Sequence, residues 1–224
     1  MIDSSLDKLL SVSRPRRTED NKSIKTLHEM AVEGEALTLN HGKAVSEIAN
    51  LMCLELDTTI AYTKALTIAA YFHDIGKNRI PISIIHKTGI LSYQERELIK
   101  EHAMLGYFSA KDSLLAYPGS FTIHESNLIE VVALTHHEYW DGSGYPLGLK
   151  QLEIPLSSRI CTYGDIFDAM TATRSYKDRA PIKDAVSFIH DNLGIIFDPA
   201  LYDVFTKVIA LKYDGLIYTP NCSC

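Results

Sequence analysis

Tyr71-Phe72-His73-Asp74-Ile75-Gly76-Lys77 is the stretch on which the reading of this chain turns, because it sets two hard-to-bury polar groups at the end of an apolar run. Ala65, Ile68, Ala69 and Phe72 recur at the spacing of one helical face, and His73 continues that face four residues after Ala69. A histidine there can be satisfied by a single carbonyl. An aspartate beside it needs more, since a carboxylate is almost never fully buried without a partner charge. Adjacent helical side chains diverge by about 100°, so the pair can grip one metal ion, or hold two ions with the aspartate bridging them. Either arrangement needs further ligands from the inner faces of other helices.

Upstream, Thr38 or Asn40 is the expected cap of a helix with His41, Val45, Ile48 and Met52 on one face, so His41 points inward. Asp57 or Thr58 caps the helix that runs into His73-Asp74, and Gly76 is a candidate left-handed terminator, with Lys77 leaving beside the site. Downstream, Ser92-x-x-Glu95 is a capping box for a helix running to about Leu115, with Leu98, His102 and Leu105 on its buried stripe. After the Tyr117-Pro118-Gly119 break, a helix near 126–138 spaces Leu128, Val132 and His136 four apart, and His137 follows at once.

Asp141-Gly142-Ser143-Gly144-Tyr145-Pro146 reads as a loop beside that histidine pair, since its glycines and proline favour turns. Pro155 opens the next helix, which carries Asp165 and Asp168. Two more helices span 181–193, stopped by Gly194, and 199–211, capped by Asp198. No stretch shows the period-two pattern of a strand, so the expected fold class is all-α.

With 224 residues, the chain fits one large domain. Expected boundaries are an arm over 1–35, with a short helix at 22–33 ended by Gly34, a catalytic domain over 36–212 and a tail over 213–224. The arm is too short to be a separate sensor domain. Hydrophobic residues make up 46% and charged residues 22%, an ordinary soluble composition without an apolar run of membrane-spanning length. The first ten residues carry Asp3 and Asp7 and lack a secretory pattern, so a cytoplasmic location is expected. A net charge of −6 argues against a long nucleic-acid partner and leaves room for a compact phosphate ligand. The four cysteines lack paired zinc spacing, and Cys53 and Cys161 read as small core residues.

The inward or helix-end candidates are therefore His41, His73, Asp74, His102, His136, His137 and Asp165, drawn from five helices. Imidazole with carboxylate suits Fe, Mn, Zn or Ni, and the lack of thiolates speaks against a structural zinc. Seven ligands exceed what one ion needs. Two ions sharing a carboxylate suit phosphate-ester cleavage.

Three motifs carry a family resemblance: His73-Asp74-Ile75-Gly76-Lys77; His136-His137-Glu138-x-x-Asp141-Gly142-x-Gly144-Tyr145-Pro146; and Asp165-x-x-Asp168-Ala169-x-Thr171-x-x-Arg174-x-Tyr176-Lys177. Together they resemble the HD-GYP family of the HD phosphohydrolase superfamily, over most of the chain from about His41 to the Phe197-Asp198-Pro199 segment. The resemblance implies an HD-domain helical bundle that hydrolyses cyclic di-GMP to pGpG, and on to GMP, by a metal-bound hydroxide. Its cofactor would be two divalent ions, Fe or Mn, with Zn and Ni as alternatives.

By the same resemblance, His41, His73, Asp74 and Asp165 hold one ion, and Asp74 bridges to a second held by His102, His136 and His137. Lys77 stands beside the scissile phosphate, with Asp74 as the other catalytic residue. Gly144, Tyr145, Arg174 and Lys177 match substrate-binding positions, and the GYP loop matches a contact for diguanylate-cyclase-domain proteins. Family members with three metals have a glutamate four residues before the first histidine. Here that position is Leu37, so two ions are expected.

Several roles stay open at this level. Tyr145 can stack on a nucleotide or pack its loop onto the core. Glu138 and Asp141 can orient ligands, fix the loop or cap, and Asp168 can support a ligand or merely end a helix. His28, His86, His124 and His190 lack a comparable context. Alternative functions are hydrolysis of 3′,3′-cGAMP, or cyclic-dinucleotide binding and protein interaction with weak catalysis.

Overall fold

Apolar residues spaced along one face build α1 (Ala36–Glu55), and Val45, Ile48, Ala49, Met52 and Cys53 on that face are buried. The computed structural model describes residues 36–116, 119, 121–172 and 180–213. The arm and the helix expected over 22–33, Arg174, Tyr176, Lys177, and the tail beyond Tyr213 lie outside the described residues. Thr38 and Asn40 lie inside α1 and do not cap it.

Helix α2 (Ile60–Tyr71) is capped by Thr59, whose hydroxyl accepts the Tyr62 N–H at 3.3 Å. The neighbours expected in that role do other work. Thr58 bonds back to the Cys53 carbonyl, and Asp57 takes a left-handed φ of 52° in the turn between α1 and α2. Helix α2 stops at Tyr71, earlier than expected, so His73 and Asp74 sit in the turn that follows it. The chain then tightens into a 3-10 turn over Ile75–Arg79.

Gly76 is not left-handed; its requirement is space. A Cβ there would lie 2.0 Å from the His102 carbonyl oxygen and 2.4 Å from the Gly106 nitrogen. Only a glycine lets this turn lie directly on the backbone of α5 (His102–Ala116).

The helix expected from Ser92 to Leu115 is two. After the short α3 (Ile82–Ile85), α4 (Tyr93–Lys100) opens with a complete Ser92/Glu95 capping box and buries none of its residues. Helix α5 restarts at His102 and buries Ala103, Tyr107 and Ala110, so the break separates a surface helix from a core helix. Helix α6 (Ile123–Thr135) begins earlier than expected, because Thr122 and Glu125 form a second capping box.

Helix α7 (Leu156–Thr171) follows Pro155, and α8 (Ile182–Asp191) leads to Gly194 at φ 79°. Helix α9 (Tyr202–Lys212) follows a 3-10 turn, Pro199–Leu201, in which Asp198 accepts the Ala200 N–H at 3.0 Å. No strand occurs among the described residues, and the isolated bridge Leu193 to Phe197 is the nearest approach to one.

Helix α1 packs against α2, α7 and α9; α2 packs on α6, and α6 on α5. Ile48, Met52, Leu66, Ile160, Tyr163, Phe167, Phe205 and Ile209 fill the space between them. Burial of each such large side chain contributes about 1.5–3 kcal/mol. The result is an all-α bundle, of the class that the helical periodicity implied and the architecture that the resemblance implied.

Gly76→Ala is expected to destabilise the fold by about 3 kcal/mol, because the added methyl meets immobile backbone. Gly89→Ala, where nothing lies within 4 Å, serves as the control in denaturant unfolding. Equal midpoints for the two variants would refute the close-approach role.

Candidate metal centre

His73 is fully buried and Asp74 is 4% exposed. The Nδ1 of His73 donates to the Ala70 carbonyl at 2.7 Å, that of His102 to Ile99 at 2.6 Å, and that of His136 to Val132 at 2.9 Å. A carbonyl only accepts, so each ring carries a proton on Nδ1 and directs Nε2 to the interior. His41 is fixed in the same way by a side chain: Nδ1 donates to Asp168 at 2.6 Å, and Nε2 lies 3.0 Å from Asp165. Asp168 is thus the orienting partner of His41.

The two oxygens of Asp74 face different neighbours. Oδ2 lies 3.4 Å from His73 Nε2, 3.8 Å from His41 Nε2 and 2.5 Å from Lys77 Nζ. Oδ1 lies 3.3 Å from His102 Nε2 and 3.7 Å from His136 Nε2. The donor atoms form two groups, His41/His73/Asp165 and Asp74/His102/His136/His137, each with its atoms within 4.8 Å of one another. All seven residues singled out as ligand candidates are brought together here.

Ligand bonds of about 2.0–2.2 Å span such a group. Of three buried side-chain atoms without a hydrogen-bond partner among the described residues, two, His73 Nε2 and Asp74 Oδ1, lie in this centre. Buried polar atoms are nearly always satisfied, and cations placed among these donors fit them.

Burial opposes charge throughout, and the neighbours decide the outcome. Against burial, Lys77 and His73 hold the Asp74 carboxyl well below the usual range, and His41 and His73 do the same for Asp165. Burial also opposes a charged His73, yet Asp74 and Asp165 raise its pKa to about 10. His41 is raised too, by Asp165 and Asp168 against burial. In the other group burial prevails: His102 falls to about 4, and His137 lies well below its ordinary value. His102 and His137 therefore offer neutral imidazoles, and His73 in the other group holds a proton that a cation must displace.

The loop after His137 is locked from beneath. Buried Glu138 accepts the N–H groups of Leu147 at 2.6 Å and Leu149 at 2.8 Å, so it fixes the loop. Gly144 is needed for contact, since a Cβ there would lie 2.3 Å from the Tyr139 nitrogen and 2.4 Å from the His137 oxygen. The Tyr145 N–H donates to that same His137 carbonyl at 3.0 Å, and its ring stacks on His137 with centroids 4.8 Å apart. Tyr145 thereby covers one side of the centre. Asp141 is exposed and accepts the Ser143 N–H at 2.8 Å within the loop.

Thr162 was not anticipated. Its hydroxyl donates to the His136 carbonyl at 2.8 Å, tying α7 to the histidine pair. The sequence signal is its place three residues before Asp165. His86, His124 and His190 are exposed, whereas Cys53 and Cys161 are buried free thiols.

Fold and site together define a helical bundle of the HD type, with its His-Asp pair at the junction of the donor groups. The chain belongs to the HD domain family, whose model matches residues 6–201. Its motifs and relatives are those of the HD-GYP type. A cyclic di-GMP phosphodiesterase of Thermotoga maritima is 36% identical over 173 residues, which cover 76% of this chain and 44% of that protein. A 3′3′-cGAMP-specific phosphodiesterase of Vibrio cholerae is 31% identical over 83% of this chain and 38% of its own length. The chain thus spans less than half the length of these curated relatives. The HD domain of the Listeria monocytogenes phosphodiesterase PgpH superposes with a TM-score of 0.58 at 16% identity, over 86% of this chain and 99% of that one, a likeness of fold.

Because His73 holds a proton up to a pKa of about 10, divalent metal loading at pH 7–8 is expected to release about one proton and to strengthen as pH rises. Titration calorimetry in two buffers of different ionisation enthalpy measures this. Identical heats in both buffers would refute it.

Proposed function

We propose that the chain is a metal-dependent phosphodiesterase that hydrolyses cyclic di-GMP to pGpG and then to GMP. The observation that carries this reading is the Asp74 carboxylate, with one oxygen toward each histidine group. His41, His73, Asp74 and Asp165 would hold one ion, and Asp74, His102, His136 and His137 the second. The set of imidazoles and carboxylates without thiolate accepts Fe, Mn, Zn or Ni, and Fe or Mn is the proposed pair. When bound, such ions stabilise charge on a phosphate and lower the pKa of water.

The chain's own residues supply the remainder. Lys77, 2.5 Å from Asp74, sets a positive charge beside the carboxylate, where negative charge on a phosphoryl group would grow. Tyr145 and Gly144 close the site on the His137 side and restrict water. Arg174 offers a planar fork for a phosphate and Lys177 a point charge. The exposed rim of the same loop, at Asp141 and Ser143, is the proposed contact for a diguanylate-cyclase-domain protein. No helix among the described residues is long and apolar enough to cross a membrane, and we place the activity in the cytoplasm.

A second reading has its own support: a 31% identical relative is named for 3′3′-cGAMP, and phosphate-binding cations do not distinguish bases. A panel of cyclic dinucleotides with anaerobically purified protein separates the two. Cleavage of neither would refute the function proposed.

Asp74→Ala is expected to lower turnover by at least about a thousandfold and to lower the bound metal, since the His102/His136/His137 group loses its carboxylate and the other loses an oxygen 3.4 Å from His73 Nε2. His190→Ala, at an exposed position, is the control. Full metal content and full rate in Asp74→Ala would overturn the assignment.

The metal count is expected to be two per chain. Position 37 lies one turn before His41 in α1 and holds a leucine, which has no lone pair to offer. Leu37→Glu is expected to admit a third ion. Anomalous scattering at the metal edges decides, and three strong peaks in the unmodified protein would contradict the dinuclear reading.

A further inference from the structure

Helix α4 lies on the surface and ends at the rim of the centre. Its last residue, Lys100, stands two positions before His102. The Lys100 ammonium lies 5.7 Å from the centroid of the Tyr145 ring, which in turn stacks on His137 at 4.8 Å.

The ion pair of Lys100 is with Glu97 on the same helix, at 2.7 Å, between side chains 46% and 44% exposed. Pairs of this kind are weak and easily exchanged. Lys77, by contrast, is held 2.5 Å from buried Asp74. Lys100 is therefore a cation at the rim that can turn to a stronger anion at small cost.

A cyclic dinucleotide carries two phosphodiesters, and one is cleaved at a time. The charge of the other calls for cations away from the Asp74–Lys77 turn, in addition to those proposed at Arg174 and Lys177. We propose that Lys100 is a substrate-binding residue that pairs with the phosphate not undergoing cleavage. This rests on the cyclic-dinucleotide reading above. In the free protein the Tyr145 ring and Glu97 hold the ammonium at the rim, and in the complex a charge-assisted hydrogen bond to phosphate replaces the Glu97 pair. Lys100 would then favour ligands with two phosphates over simple diesters.

The test compares metal-loaded parent protein with Lys100→Met, which keeps the aliphatic stem and removes the charge. The KM for cyclic di-GMP is expected to rise about tenfold with kcat within about twofold. For bis(p-nitrophenyl) phosphate, a diester with one phosphate, the rise is expected to stay below about threefold, and Lys100→Arg is expected to recover most of the affinity for cyclic di-GMP. Equal losses on both substrates would make Lys100 a prop for Tyr145 and overturn the proposal, as would a parental KM in Lys100→Met. A parent protein that cleaves the simple diester and no cyclic dinucleotide would sink the substrate reading and this inference with it. That result differs from a failure of Lys100 alone, in which parent and variant turn over cyclic di-GMP alike.

Discussion

Burying the Asp74 carboxylate is the constraint that the rest of this structure serves. An isolated carboxylate in a low-dielectric interior would neutralise itself by taking a proton. Here Lys77 at 2.5 Å and the imidazoles around it keep the group ionised. The compensation is local on one side only, because Lys77 lies three residues away in the same turn. The neighbouring His73 adds to it, and His136 contributes from the end of α6, so part of the compensation depends on α6 being docked beside the turn. Gly76 permits docking of the turn itself by removing the one side chain that would hold it away from α5.

The imidazoles owe their orientation to helix ends. Ala70, Ile99 and Val132 lie in the last turns of α2, α4 and α6, where carbonyls have room for a further donor; that of Val132 also accepts the His136 N–H at 3.1 Å. Each accepts from a histidine within two residues of its helix end. One contact satisfies a backbone acceptor and fixes a tautomer. His41 sits inside α1, where the carbonyls are taken by the helix, and Asp168 does the same work from α7. The difference has an electrostatic consequence, since a carboxylate partner favours a protonated ring and a carbonyl does so far less.

The GYP loop follows the same logic of economy in space. Its backbone is pressed against His137, Glu138 and Tyr139 at Gly144, and the buried Glu138 carboxylate gathers the N–H groups beyond it. Tyr145 is thereby held over His137, joined to the centre through a ring contact. Tyr145 is packed against His137, and that packing creates a wall that a ligand would meet.

The sequence by itself determined the helical class, the inward faces of α1 and α2, both capping roles at Ser92 and Asp198, and the seven side chains of the centre. These are local facts: periodicity, caps and residue chemistry over a few turns. Tertiary structure decided what depends on which elements meet. The role of Gly76 was legible as a stop signal but is a close approach to His102 and Gly106, residues some thirty positions away. The split at Glu101 was invisible because the apolar pattern runs through it, whereas only α5 has a core partner. Asp168 and Glu138 were carboxylates with several readings each, and Thr162 was a hydroxyl with none. Packing chose among them, because a buried donor must be matched by whichever acceptor the fold brings within reach.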